Sequence, residues 1–237
     1  KAVKYCKENR QPYGLIAPKG VMAANDKPNN MDRTYPMSRE EAMEVILNNM
    51  PGDTIYSATT GRATRELFFL REKRSETKAH DFLNVGSMGH ASSVALGIAL
   101  EKPERKVVAL DGDSACMMHM GAMTMVSKLD VPNFMHVVLN NGSHESVGGQ
   151  PSAGHKVDFT KIAEACDYAT VGHPVTTEVE LMEALEVLRN CGKASFIDCR
   201  IHKGLSRKLP PVIFDHREVI DALIDNLNES RITMDKK

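Results

Sequence analysis

A chain of 237 residues, 42% hydrophobic and 26% charged, is long enough for one large α/β unit or for one domain carrying a piece of another. Its 30 basic and 31 acidic residues leave a formal net charge of −1, which excludes a disordered tail and gives no electrostatic footprint for nucleic acid. Five cysteines (Cys6, Cys116, Cys166, Cys191, Cys199), odd in number and without a C-x-x-C pair, read as reduced thiols of a cytoplasmic protein and not as a zinc site or disulfide framework.

Along the chain, short apolar runs alternate with helical patterns, the order of an α/β fold with a mostly parallel sheet and helices on both faces. Lys1–Arg10 reads as the end of a helix and Tyr13–Ala17 as a strand. Ala23–Pro36 is polar and punctuated by Pro28 and Pro36, the composition of a linker. Residues 1–36 are therefore expected to be the end of one domain plus a linker, and residues 37–237 a second domain beginning near Met37. The chain begins at Lys1 and not at Met, so an upstream part is expected. Ser38-x-x-Glu41 predicts a capped helix whose Ala42, Val45, Ile46 and Met50 share a face, and Thr177-x-x-Glu180 and Asp215-x-x-Glu218 predict two more. Strands are expected at Thr54–Ala58, Lys106–Leu110, Phe134–Leu139, Tyr168–Val171 and Ala194–Cys199, most of them apolar enough for burial on both faces. The uncharged run Phe82–Leu100 is interrupted by Asn84, Ser87, His90, Ser92, Ser93 and three glycines, so it is not read as a membrane span. Met117, Met118, Met120, Met123 and Met125 are expected on a helix, filling a core or a subunit interface.

The chemistry concentrates in Val107–Gln150. One buried strand runs into Asp111-Gly112-Asp113-Ser114, and a second ends at Asn140-Asn141-Gly142. Either motif alone is turn chemistry. Together, with Asp113 and Asn141 28 residues apart at the C-terminal ends of two parallel strands, they lie where ligands bind in open α/β sheets. A carboxylate, an amide oxygen and a turn carbonyl are hard donors that suit Mg²⁺. Gly112 permits close backbone approach, and a helix N-terminus beyond Ser114 favours an anionic diphosphate.

These residues resemble the signature of the thiamine-diphosphate-dependent enzymes: Gly-Asp-Gly, nearly thirty residues, then Asn-Asn. The resemblance makes Asp113, Asn141 and the carbonyl of Ser143 the metal ligands, and adds Gly112 and Ser114 to the cofactor contacts; Ser114 stands where the family usually has Gly. Gly86-Ser87-Met88-Gly89 resembles a second family segment, which implies that the Gly86 carbonyl accepts from the aminopyrimidine and that Met88 wedges beneath the cofactor, beside Ser87. Within this group, Ser57-Ala58-Thr59-Thr60-Gly61, Thr64-Arg65-Glu66-Leu67, Met118-His119-Met120-Gly121 and His144-Glu145-Ser146-Val147-Gly148-Gly149-Gln150-Pro151 look like the phosphonopyruvate decarboxylases, with the sulfopyruvate decarboxylases as near relatives. The resemblance covers most of Lys1–Arg200 and implies cofactor contacts at Thr59 and Thr60.

The implied reaction is non-oxidative decarboxylation of a small 2-oxo acid, foremost 3-phosphonopyruvate to phosphonoacetaldehyde and CO₂, with thiamine diphosphate and Mg²⁺. His144 and Glu145, just past the metal turn, are the candidate catalytic residues, His144 as a proton relay. Arg62 and Arg65 are candidate contacts for the substrate's anionic groups, although Arg65-Glu66 also reads as a surface pair. In this superfamily an activating Glu comes from a pyrimidine-binding domain, of which Lys1–Ala17 resembles only the last helix and strand. A partner domain or subunit supplying that Glu is therefore expected, together with a homo-oligomer and no membrane partner. Three alternatives stay open: a sulfopyruvate decarboxylase subunit, an acetolactate-type or oxidoreductase subunit on the same fold, and a non-catalytic nucleotide-binding module.

Overall fold

The computed structural model describes residues 1–18, 20–22, 33–204 and 214–234, with side chains as far as 229. Helix α1 (Ala2–Asn9) has no buried residue. The main body follows as α2 (Arg39–Asn49), β1 (Ile55–Ala58), α3 (Arg62–Lys73), β2 (Asp81–Leu83), α4 (Ala91–Glu101), β3 (Val107–Gly112) and α5 (Asp113–Met118). A 3-10 stretch, Met120–Lys128, leads to β4 (Phe134–Asn140), a small hairpin of β5 (Ser143–His144) and β6 (Gln150–Pro151), α6 (Phe159–Ala165), α7 (Glu178–Leu188), β7 (Ser195–Arg200) and α8 (His216–Met234). The five-stranded sheet has the order β2-β1-β3-β4-β7, and every pairing in it is parallel.

Side-chain alternation divides the core between the two faces of this sheet. Val108 and Leu110 of β3 join Met135, Val137 and Leu139 of β4 under α2, α3 and α7. Val107, Ala109, Phe134 and Val138 point the other way, to α4, α6 and Leu223 of α8. Helices cover both faces, as the chain order predicts. At the end of the sheet away from the C-terminal strand tips, Lys102 donates to the Leu227 carbonyl and Arg105 reaches both the Asp53 carbonyl and the Asn226 amide oxygen, which docks α8.

The helix starts are where the sequence places them. Ser38 and Glu41 form the full reciprocal box on α2. Thr177 accepts from the Glu180 amide, but the Glu180 carboxylate turns to Thr176 instead of closing the box. Asp215 accepts from the Arg217 amide ahead of α8.

Four expectations change. Tyr168–Val171 is not a strand: the segment touches β7 through a single bridge at Ala169, with a second at Val175 beyond it, because Asp167 and Gly172 take positive φ on either side of the segment and Pro174 interrupts the return. Tyr13–Ala17 takes no strand pairing. The methionine run is a six-residue helix followed by 3-10 turns, not one helix; Met123 is core while Met118 and Met125 are exposed. The fourth is an added strand, β2, which the sequence hides because Asp81 sits in it fully buried. The linker Ala23–Pro36 lies outside the described residues up to residue 32. Among the described residues, no helix is long and apolar enough to cross a membrane.

Asp81 is tolerated because Arg71 of α3 meets it fork to fork, with two contacts of 2.9 Å. Burial pushes the Asp81 carboxyl up to about 6, against the pull of Arg71. Arg71→Leu is expected to cost ~3–5 kcal/mol, since it strands a buried carboxylate. Adding Asp81→Leu should recover most of that loss, as read from urea unfolding midpoints of the two variants.

Candidate functional site

The C-terminal tips of β1, β3 and β4 converge on one cavity. Thr64 holds the β1 tip in shape: its hydroxyl lies 2.9 Å from the carbonyls of Thr59 and Asn84, and Asn84 in turn donates to the Ala58 carbonyl at 2.8 Å. The amide of Thr59 donates to the Leu110 carbonyl of β3, which seats Thr59 beside Gly112. On the other side, Gly112 pairs in register with Leu139, so Asp113 and Asn141 leave adjacent strands as neighbours. Helix α5 begins at Asp113 itself, with Gly112 as its cap, and not beyond Ser114 as the sequence suggests.

Of the expected residues, Thr59, Thr60, Met88, Gly112, Asp113, Ser114, Asn141, Ser143, His144 and Glu145 all line this cavity. So does Arg62, whereas Arg65 points to solvent. Gly86 and Ser87 lie on an exposed turn next to Met88, outside the cavity wall. Ser87 adopts a left-handed φ of 48° there, and its carbonyl accepts from the His90 amide at 3.2 Å. Gly89 completes the turn at a φ of 87°; a Cβ on it would sit 2.4 Å from His119 and 2.9 Å from the Ala115 carbonyl. That close approach lets the turn rest on α5.

The cavity wall is polar and partly unsatisfied. Asp113 is 2% exposed, and burial raises its carboxyl above the ordinary range while a hydrogen bond from Ser152 opposes the shift. The Asn141 amide oxygen accepts from the Ser143 amide at 3.1 Å, which closes the turn after β4. The hydroxyls of Thr59 and Ser143 are buried in the wall without a partner. An orphaned hydroxyl costs ~1–3 kcal/mol of desolvation, so two of them in one cavity are groups that a polar ligand would satisfy. Among the described residues, no three His, Cys, Asp or Glu side chains converge as a metal cluster. A cation here would rest on one carboxylate with amide and carbonyl oxygens, a set that a hard ion such as Mg²⁺ accepts while keeping water or phosphate oxygens.

Two charged residues escape sequence reasoning. Arg39, in the first turn of α2, reaches Glu66 of α3 at 2.8 Å and Glu145 at 2.5 Å. The second oxygen of Glu145 accepts from the Gly204 amide. Glu145 is thus fixed at the cavity wall by a buried arginine. Burial opposes the charge on Arg39, but the two carboxylates hold its pKa above its ordinary value. Arg65-Glu66 is therefore not the surface pair its sequence suggests: Glu66 is buried and turns inward to Arg39, 27 residues away, a pairing with no local signal.

Thr59→Val tests whether the wall is strained by its empty hydroxyl. The variant keeps the side-chain shape and removes an unpaired donor, so it is expected to stabilise the protein by about 1 kcal/mol, read as a small rise in melting temperature.

Residues 59–199 match the family model of the thiamine pyrophosphate enzyme, C-terminal TPP binding domain. The chain is 36% identical over 193 residues to the phosphonopyruvate decarboxylase of Streptomyces viridochromogenes, an alignment covering 73% of this chain and 46% of that protein. It is 27% identical over 190 residues to the sulfopyruvate decarboxylase subunit beta of Methanocaldococcus jannaschii, covering 77% of this chain and 95% of that subunit. The chain therefore spans less than half the length of the phosphonopyruvate decarboxylases it matches, and nearly all of the beta subunit. Its fold is shared with the thiamine diphosphate-dependent 4-hydroxybenzoylformate decarboxylase of Rhodococcus jostii RHA1, at a TM-score of 0.55 and 18% identity over 81% of this chain and 35% of that one. The sheet with its converging strand tips, the polar cavity and the match across residues 59–199 have one conclusion: the chain belongs to the thiamine pyrophosphate enzymes and carries their C-terminal TPP binding domain.

Proposed function

We propose that this domain works in the non-oxidative decarboxylation of a small 2-oxo acid, foremost 3-phosphonopyruvate to phosphonoacetaldehyde and CO₂. The observation that carries the reading is the convergence of Asp113, Asn141 and two unpaired buried hydroxyls in a single cavity. Thiamine diphosphate, when bound, supplies the electron sink for loss of CO₂. This chain's part is to hold and orient. Asp113, the Asn141 amide oxygen and the Ser143 carbonyl would hold Mg²⁺, and Thr59, Thr60, Gly112 and Ser114 would receive the diphosphate. The Gly86 carbonyl would accept from the aminopyrimidine, with Met88 and Ser87 bracing the ring. His144, half-buried beside Asp113, would carry the proton to the reacting carbon. Glu145, with both oxygens held, would act as a fixed charge next to it. Arg62 would take the phosphonate, for which a guanidinium fork is well shaped.

A pyrimidine-binding domain, in the same polypeptide or as a separate subunit, would complete the site by supplying the activating Glu. The near-full coverage of a beta subunit supports the separate-subunit form, and with it the second reading, 3-sulfopyruvate as substrate. The exposed apolar side chains of Val85 and Met118, beside the Gly86–Met88 turn, support a partner surface at that place. Assays of CO₂ release with both oxo acids, with the pyrimidine-binding half present, separate the two substrates; turnover of neither, with cofactor bound, would overturn the decarboxylase reading. Asp113→Ala is expected to abolish Mg²⁺-dependent uptake of thiamine diphosphate in calorimetric titration, because only neutral donors remain. Unchanged affinity would remove Asp113 from the metal site.

A further inference from the structure

The hairpin after the Asn140-Asn141-Gly142 turn does more than connect β4 to α6. Strands β5 and β6 pair Ser143 with Pro151 and His144 with Gln150, and this fold-back carries the next residues over the strand tips. The Ser152 amide donates to the Gly142 carbonyl at 2.9 Å, which ties the return to the turn. The Ser152 hydroxyl then reaches Asp113 Oδ2. That hydroxyl also accepts from the Gly154 amide at 3.1 Å, so its own hydrogen is directed to the carboxylate.

Gly154 lies buried directly on the same group. A Cβ on it would stand 2.3 Å from Asp113 Oδ2 and 2.5 Å from Asn140 Oδ1. The Gly154 carbonyl accepts from Asn140 Nδ2 at 3.0 Å, and Asn140 also donates to Asp198 of β7 at 3.0 Å. The return segment is thereby anchored to two strands and pressed onto the side chain of Asp113.

We infer that Ser152 and Gly154 are positioning residues for the acidic ligand of the cofactor site: the Ser152 hydroxyl fixes the orientation of the Asp113 carboxylate, and the bare Cα of Gly154 leaves the room that orientation needs. The inference rests on the reading of Asp113 as a metal ligand under Proposed function. Partners that orient a ligating carboxylate typically change metal affinity by about 10–100-fold when removed.

The test uses Mn²⁺ as the probe, titrated into the full-length protein with thiamine diphosphate present and followed by the electron paramagnetic resonance signal of free Mn²⁺. Ser152→Ala is expected to weaken Mn²⁺ binding by about tenfold or more, Ser152→Thr to restore it to within about threefold, and Gly154→Ala to weaken it further than Ser152→Ala does. A merely structural role would lower the melting temperature of Ser152→Ala without changing Mn²⁺ affinity, and Thr would give no rescue of binding. Either of those results overturns the inference, as does a Ser152→Ala variant that binds Mn²⁺ like the parent. If the parent protein takes up Mn²⁺ and Asp113→Ala does so equally well, the metal-ligand reading itself fails, an outcome distinct from failure of Ser152 alone.

Discussion

Parallel pairing has a period of two and no tolerance for a slip of one. Six consecutive residues of β3 are matched to β4, from Val107 opposite Phe134 to Gly112 opposite Leu139. Shifting either strand by one residue would turn Val108, Leu110, Val137 and Leu139 away from α2 and α3 and would break both halves of the core at once. The same register delivers Asp113 and Asn141 side by side at the strand tips. Packing energy spread over two helical layers therefore specifies the geometry of a polar site that contributes little to stability itself. Placement of the candidate site is a by-product of core burial here.

Around that register stands a set of buried charges, each matched to a partner. Asp81 is met by Arg71, and Glu66 and Glu145 share Arg39. Asp111, fully buried on the core side of Gly112, faces His136 at 3.3 Å and accepts from the Gly112 amide at 3.0 Å. A charge left alone at this depth would cost several kcal/mol, so each pair is an all-or-none element of the fold. Two of the three sets tie the helix layer to the cavity: Arg39 links α2, α3 and the hairpin loop, and Asp111 shapes the turn into α5.

Much of this is legible in the sequence itself. Phe134–Leu139 is apolar at nearly every position and could only be a central strand; Ser38 and Glu41 announce a helix start by themselves. The cavity wall was equally legible, since Thr59, Gly112, Asp113 and Asn141 sit in short motifs whose residues are sequence neighbours. What stayed hidden is what depends on distance along the chain. Asp81 reads as loop because a carboxylate inside a strand makes sense only once Arg71 is known to face it. Arg39 and Ser152 reach the site from 106 and 39 residues away from their partners, and no local pattern encodes either contact. Tyr168–Val171 misleads for the converse reason: its composition suits a strand, but the backbone turns at Asp167 and Gly172 leave room for only one bridge.

The docking of α8 is asymmetric in a way that bears on how this chain could drift in sequence. The donors, Lys102 and Arg105, belong to the loop that enters β3, while the acceptors on the helix are the main-chain carbonyl of Leu227 and the side-chain amide oxygen of Asn226. Carbonyl acceptors are supplied by any residue. The helix also relies on Val219, Leu223 and Leu227, which pack on the core, and on the Asn226 side chain. The opposite end of the sheet has less freedom, because there Arg39, Thr64, Asn84, Asn140 and Ser152 each contribute a bond through the side chain. One fold thus holds a helix partly through a main-chain acceptor that any residue supplies, and a rim through side chains that few residues could replace.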